Sequence, residues 1–175
     1  MVSPTVPPDT RSVALIGLPA SGKSTVARIL AARLGLPARD LDEEIAAEAG
    51  RDIPAVFSAE GERGFRDRES RSLLRAAEYP QCILATGGGV VERPENRDIL
   101  RTRFRSVWLR VSPKTAAARS AGGIRPLLAG GDPEARIRDL DTRRSTFYAE
   151  CAALSVDTDG RNPEAVAEDI LEQIR

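Results

Sequence analysis

The strongest constraint on the fold lies in residues 12–25, SVALIGLPASGKST. SVALIGL reads as a short buried strand, and it runs straight into Gly17-x-x-x-x-Gly22-Lys23-Ser24. From Lys23 the apolar period changes. Val26, Ile29, Leu30 and Leu34 recur at helical spacing until Gly35 and Pro37 end the helix. A strand, a glycine-rich turn and a helix in that order form a phosphate-binding loop. The glycines let successive N–H groups turn inward around a phosphate, and the helix N-terminus adds partial positive charge. Lys23 reaches the β- and γ-phosphates, and the Ser24 hydroxyl can ligate Mg²⁺. A plain glycine-rich turn would explain the glycines but not Lys-Ser at that offset. Gly17, Leu18, Pro19, Ala20, Ser21, Gly22, Lys23, Ser24 and Thr25 therefore form the candidate nucleoside triphosphate site.

The rest of the chain repeats the alternation. ARDLD reads as a short extended segment, Glu43 to Ala49 as helix, and Ile53-Pro54 opens a helical region reaching Glu78. CILAT, SVWLRV and LSVDT are further strands, with helices near 95–103, 113 onward, 134–153 and after Asn162-Pro163. Short apolar strands separated by helices predict a parallel sheet covered by helices on both faces, with ligands at the carboxyl ends of its strands. At 175 residues the chain suits a single α/β domain over 12–175. Residues 1–11, rich in proline, read as a flexible tail. AGGIRPLLAGGDP, residues 121–133, reads as a mobile loop within a lid at about 120–133.

Composition narrows the chemistry. The 26 Lys+Arg balance the 26 Asp+Glu, so no global field recruits nucleic acid or an anionic membrane. The absence of histidine excludes Ser-His and Cys-His nucleophile systems and histidine-ligated metals. Cys82 and Cys151 lack CxxC spacing and read as buried free thiols of a reducing compartment. With no apolar run of membrane-spanning length, a soluble cytoplasmic protein is expected.

Five further clusters concern the acceptor and the transfer to it. Asp40 and Asp42 place two carboxylates on one side of the extended segment, for water-mediated contact to Mg²⁺ and for a substrate hydroxyl, although a solvated acidic turn has the same pattern. Arg66 and Glu69 share a helix face, as any exposed ion pair would. Gly87, Gly88 and Gly89 after a buried strand allow close approach of backbone to a ligand. Arg125 lies in the flexible loop, where it can close over a transferring phosphoryl group. Arg143 or Arg144, one turn before Tyr148, can direct a guanidinium at a carboxylate or lie on a solvated face.

GLPASGKST, DLDEEI, IPAVFSAEGERGFRDRE, LATGGGVV, RPLLAG and RRSTFY, in this order and spacing, resemble the shikimate kinases across about residues 12–174. The resemblance implies a P-loop kinase domain, related to the nucleoside monophosphate kinases, that moves the γ-phosphoryl of ATP to the 3-hydroxyl of shikimate with Mg²⁺ as cofactor. It implies a monomer, with the shikimate-binding part at about 40–78. It makes Asp42 the candidate base, with Lys23 and Arg125 beside it in catalysis, and Ser24 and Asp40 (through water) the metal contacts. Arg66 and Arg144 clamp the acceptor carboxylate, Gly87 to Gly89 line its ring, Phe57 and Phe65 form an apolar wall, and Glu69 orients its neighbours. Arg119, Arg161, Asn162 and Pro163 fall where the family holds adenine.

Ala20 departs from the family, which often has glycine there. If that position needs φ > 0, alanine costs about 1 kcal/mol. A gluconate- or nucleotide-type kinase and a nucleotide-gated regulatory module are the competing readings. The paired arginines and the retained Asp42 and Arg125 argue against them.

Overall fold

The computed structural model describes residues 11–120 and 132–174. The expected tail up to residue 10, most of the expected lid and Arg125 lie outside the described residues.

Among those residues five strands form one wholly parallel sheet: β1 (Ser12–Ile16), β2 (Ala38–Asp40), β3 (Ile83–Ala85), β4 (Phe104–Arg110) and β5 (Leu154–Asp157), in the order β2-β3-β1-β4-β5. Helices α1 (Lys23–Leu34), α2 (Leu41–Ala49), α3 (Ile53–Glu78), α4 (Pro94–Arg103), α5 (Pro113–Ser120), α6 (Pro133–Cys151) and α7 (Pro163–Ile174) connect and cover them. β1 is central because all five of its residues are buried, so it needs a neighbour on each edge and helices on each face. Its register aligns Val13 with Ile83 of β3 and with Arg105 of β4.

Strand alternation divides the core in two. Val13, Leu15, Ile83, Ala85, Val107 and Leu109 meet Val26 and Leu30 of α1 and Val166 and Ile170 of α7. Ala14, Ile16, Leu84 and Phe104 face the other way, toward Leu73 of α3, Leu100 of α4 and Tyr148 of α6. Each fully buried aliphatic side chain contributes about 1.5–3 kcal/mol. A third, smaller cluster of Ile45, Val56 and Phe65 joins α2 to α3. The loops that leave β1, β2 and β3 at their carboxyl ends thus open on one side of the molecule, where ligands of such sheets bind.

Two local readings change. The chain leaves β2 at Asp40, whose carboxylate accepts the N–H groups of Asp42 (3.0 Å) and Glu43 (3.5 Å) and so caps α2. Asp42 is therefore helical, and strand alternation is not what brings the two carboxylates together. The long helix expected from Ile53 to Glu78 is interrupted at Gly61, at φ 69° and ψ 179°. A β-carbon there would meet nothing within 4 Å, so glycine answers a conformational demand alone. Gly61→Ala should therefore lower stability by about 1–2 kcal/mol, readable as a lower midpoint in thermal unfolding, with no loss of catalytic turnover.

Candidate active site

The phosphate loop closes on its own lysine. The Lys23 ammonium, 8% exposed, donates to Gly17 O (2.9 Å), Leu18 O (2.7 Å) and Ser21 Oγ (3.2 Å). Ala20 sits at φ 61°, the one non-glycine with positive φ among the described residues, so the expected strain is present. Pro19, Ala20, Gly22, Lys23, Ser24 and Thr25 line a cavity of about 300 Å³ with Asp42, Thr86, Gly88 and Arg119. The Ser24 hydroxyl donates to Asp40 Oδ2 at 2.5 Å, and Asp40 Oδ1 caps α2, so one carboxylate ties α1 to α2. A serine hydroxyl beside a carboxylate at the end of a phosphate loop suits Mg²⁺, which prefers oxygen ligands, keeps several waters and takes substrate phosphates. No cluster of three or more metal-ligating side chains occurs among the described residues, as such a phosphate- and water-bound ion would require none.

Behind this cavity lies a pocket of buried charge. Arg66 donates from Nη1 to Glu69 Oε2 at 2.8 Å, and their side chains are 6% and 0% exposed. Burial pushes the Glu69 carboxyl up to about 6; Arg66 opposes the shift and Asp42 adds to it. Arg144, from α6, donates to Glu92 Oε1 through Nε (2.7 Å) and Nη2 (2.5 Å). Arg143, its neighbour, is exposed, so the structure distinguishes two arginines that the sequence could not. The Tyr148 hydroxyl donates to Gly88 O at 2.5 Å, and burial raises its pKa, which keeps that proton in place.

The three glycines each have a different reason. A β-carbon on Gly87 would lie 2.5 Å from Glu69 Oε1 and 3.2 Å from Asp42 Oδ1. On Gly88 it would meet Pro19 Cδ at 2.9 Å, and on Gly89 the Arg66 guanidinium at 2.2 Å. The backbone from 87 to 89 is thus wedged between the charges of Asp42, Arg66 and Glu69 and the phosphate loop at Pro19. Phe57 stacks on Phe65 with centroids 4.4 Å apart, across the Gly61 break within α3, and the pair packs against Ile45 of α2.

Arg119 donates to Thr158 O (2.8 Å) and reaches Ala20 O (3.5 Å), so it edges the phosphate cavity. Arg161 is engaged with Asp169 at 2.6 Å, while Asn162 Oδ1 caps α7 through Ala165 N (2.7 Å) and Pro163 begins that helix. Those contacts give the last three structural work of their own. Sequence reasoning missed Thr86 and Glu92. Thr86 carried a signal, its place beside the glycines, but Glu92 was indistinguishable from any surface glutamate.

A sequence model described as shikimate kinase matches residues 19–175. Shikimate kinases from Symbiobacterium thermophilum and Thioalkalivibrio sulfidiphilus are 44% and 46% identical, over 94% and 92% of this chain and 96% and 85% of theirs. The chain belongs to the shikimate kinase family. It is accordingly an ATP-dependent phosphotransferase. A shikimate kinase from Acinetobacter baumannii, solved in complex with shikimate, superposes with a TM-score of 0.92 at 35% identity, covering 98% of this chain and 94% of that one. A deoxyadenosine kinase from M. mycoides, 18% identical with a TM-score of 0.61, shares the fold alone.

Two outcomes follow from the geometry. Gly89→Ala should displace the Arg66 guanidinium from Glu69 and lower stability by about 1.5–3 kcal/mol, the worth of a well-placed charged hydrogen bond, readable as a lower midpoint in urea. For Glu69, the raised pKa means the folded protein keeps this proton to a higher pH than the unfolded chain. Its contribution to stability is full below about 4.5 and is lost as pH rises through about 6. The stability difference between parent and Glu69→Gln should therefore shift against the parent by about 2 kcal/mol between pH 4.5 and 7. Urea titrations across that range check the sign and the size.

Proposed function

We propose that the enzyme transfers the γ-phosphoryl of ATP to the 3-hydroxyl of shikimate, giving shikimate 3-phosphate and ADP for aromatic amino acid biosynthesis. The observation that carries this is the position of Asp42. It lines the phosphate cavity with Lys23 and Ser24, and it also approaches Gly87 from the side of Glu69. A carboxylate at that junction can meet an acceptor hydroxyl on one side and the transferring group on the other.

In this reading Lys23 and the N-terminus of α1 hold the phosphates, and Ser24 with Asp40 would hold Mg²⁺. The metal, when bound, neutralises phosphate charge. Asp42 accepts the hydroxyl proton and orients the ring. Arg66 and Arg144 fix the acceptor carboxylate from two elements, and rigid placement of this kind lowers the barrier by removing orientational freedom before the reaction. Gly87 to Gly89, with Phe57 and Phe65, shape the acceptor side; Glu69 orients Arg66. Arg125 on the lid supplies charge as the phosphoryl group moves. Arg119, Arg161, Asn162 and Pro163 would border the adenine. A monomer is part of this reading. The two buried free cysteines suit the reducing cytoplasm, and burial pushes the Cys151 thiol up to about 11, an unreactive value.

An ADP-release assay offering shikimate, quinate, gluconate and AMP tests the acceptor, and turnover of gluconate or AMP over shikimate would overturn it. Within that assay Asp42→Asn should lower kcat by roughly two to four orders of magnitude and leave ATP binding intact. Asp40→Asn should show a defect that rising Mg²⁺ partly relieves. Near-normal kcat in Asp42→Asn with only a raised KM would remove the base and leave a positioning residue.

A further inference from the structure

Glu92 ends the 3₁₀ turn Val90–Glu92 that follows the three glycines. Its carboxylate joins both clamp arginines. Oε1 receives Nε and Nη2 of Arg144, and Oε2 lies 3.6 Å from Nε of Arg66. The arginine side chains are 2% and 6% exposed, while Glu92 is 30% exposed. It therefore reaches the clamp from the solvent rim and can withdraw without disturbing the core. The Arg144 Nη1 group is buried and makes no hydrogen bond to a described residue, so the clamp keeps donor capacity beyond what Glu92 takes.

We propose that Glu92 is an internal competitor for the clamp, a specificity-determining residue whose carboxylate occupies the two arginines against small free anions. This rests on the reading of Arg66 and Arg144 as the acceptor clamp. The charge balance supports it. Arg66 and Arg144 carry two positive charges, Glu69 and Glu92 return two negative ones, and Glu62, 3.5 Å from Arg66 at the exposed edge, adds a third, so a lone acetate or phosphate gains little on entering. An acceptor that brings a carboxylate together with ring hydroxyls facing Asp42 and the glycine edge gains enough to move Glu92 aside. Removing the Glu92 charge uncovers a buried cation, which any anion can then neutralise.

The test uses acetate as a competitor of shikimate at constant ionic strength, on the intact enzyme with saturating ATP. In Glu92→Gln the inhibition constant for acetate should fall by about tenfold, and KM for shikimate should fall with it, while KM for ATP is unchanged. An unchanged acetate constant, or a raised KM for shikimate, would overturn the proposal, since a purely supporting residue gives the second result. Should Glu92→Gln not fold, Glu92→Asp withdraws the carboxylate by one methylene and is judged by the same two outcomes. Arg144→Lys separates the premises. If it leaves KM for shikimate untouched in the parent background, the clamp reading fails; if it raises that KM while acetate remains indifferent to Glu92→Gln, only the competitor role fails.

Discussion

Two guanidinium groups, those of Arg66 and Arg144, are held almost entirely out of water in this enzyme, and much of the pocket around residues 87–89 follows from that. A buried cation is tolerated only where a carboxylate and good hydrogen bonds compensate its lost hydration. Glu69 does this for Arg66 from the same helix, and Glu92 does it for Arg144 across the molecule. The guanidinium of Arg66 leaves no room for a β-carbon at residue 89, and the Glu69 carboxylate leaves none at 87. The glycine run is therefore a consequence of the charge pocket as much as a lining for a substrate.

The nucleotide side depends on a different economy of groups, with Asp40 at its centre. One carboxylate caps α2 and receives the Ser24 hydroxyl, so the start of α1 and the start of α2 are fixed relative to each other. Asp42 follows in the first turn of α2 and inherits that position. The phosphate loop and the Asp42 carboxylate are thus set at a fixed separation through the Asp40 side chain. This coupling explains how a short strand on the sheet edge, only three residues long, can fix the start of two helices.

Legibility differed between the two sides for a physical reason. The phosphate loop works through backbone N–H groups, a helix terminus and residues within nine positions, so local spacing contains nearly all of its geometry. The same holds for the centre of the parallel sheet, where β1 and β3 are buried along their whole length. The buried charge pocket joins α2, α3, the turn after β3 and α6, and no local pattern distinguishes Arg144 from Arg143, or Glu92 from the glutamates around it. Resemblance to a family named Arg66, Arg144, Glu69 and the glycines; it did not name Glu92 or explain why three glycines are needed.

The sequence by itself determined the fold class, the nucleotide loop and the run of candidate acceptor residues, because periodicity, capping chemistry and motif spacing act over a few residues. Tertiary structure decided which charges are buried and which carboxylate answers each arginine. It also turned the pair Asp40 and Asp42 from two carboxylates on one side of an extended segment into a helix cap and its first-turn neighbour. Burial and pairing are properties of packing between distant segments, and desolvation makes them strong only once those segments have met.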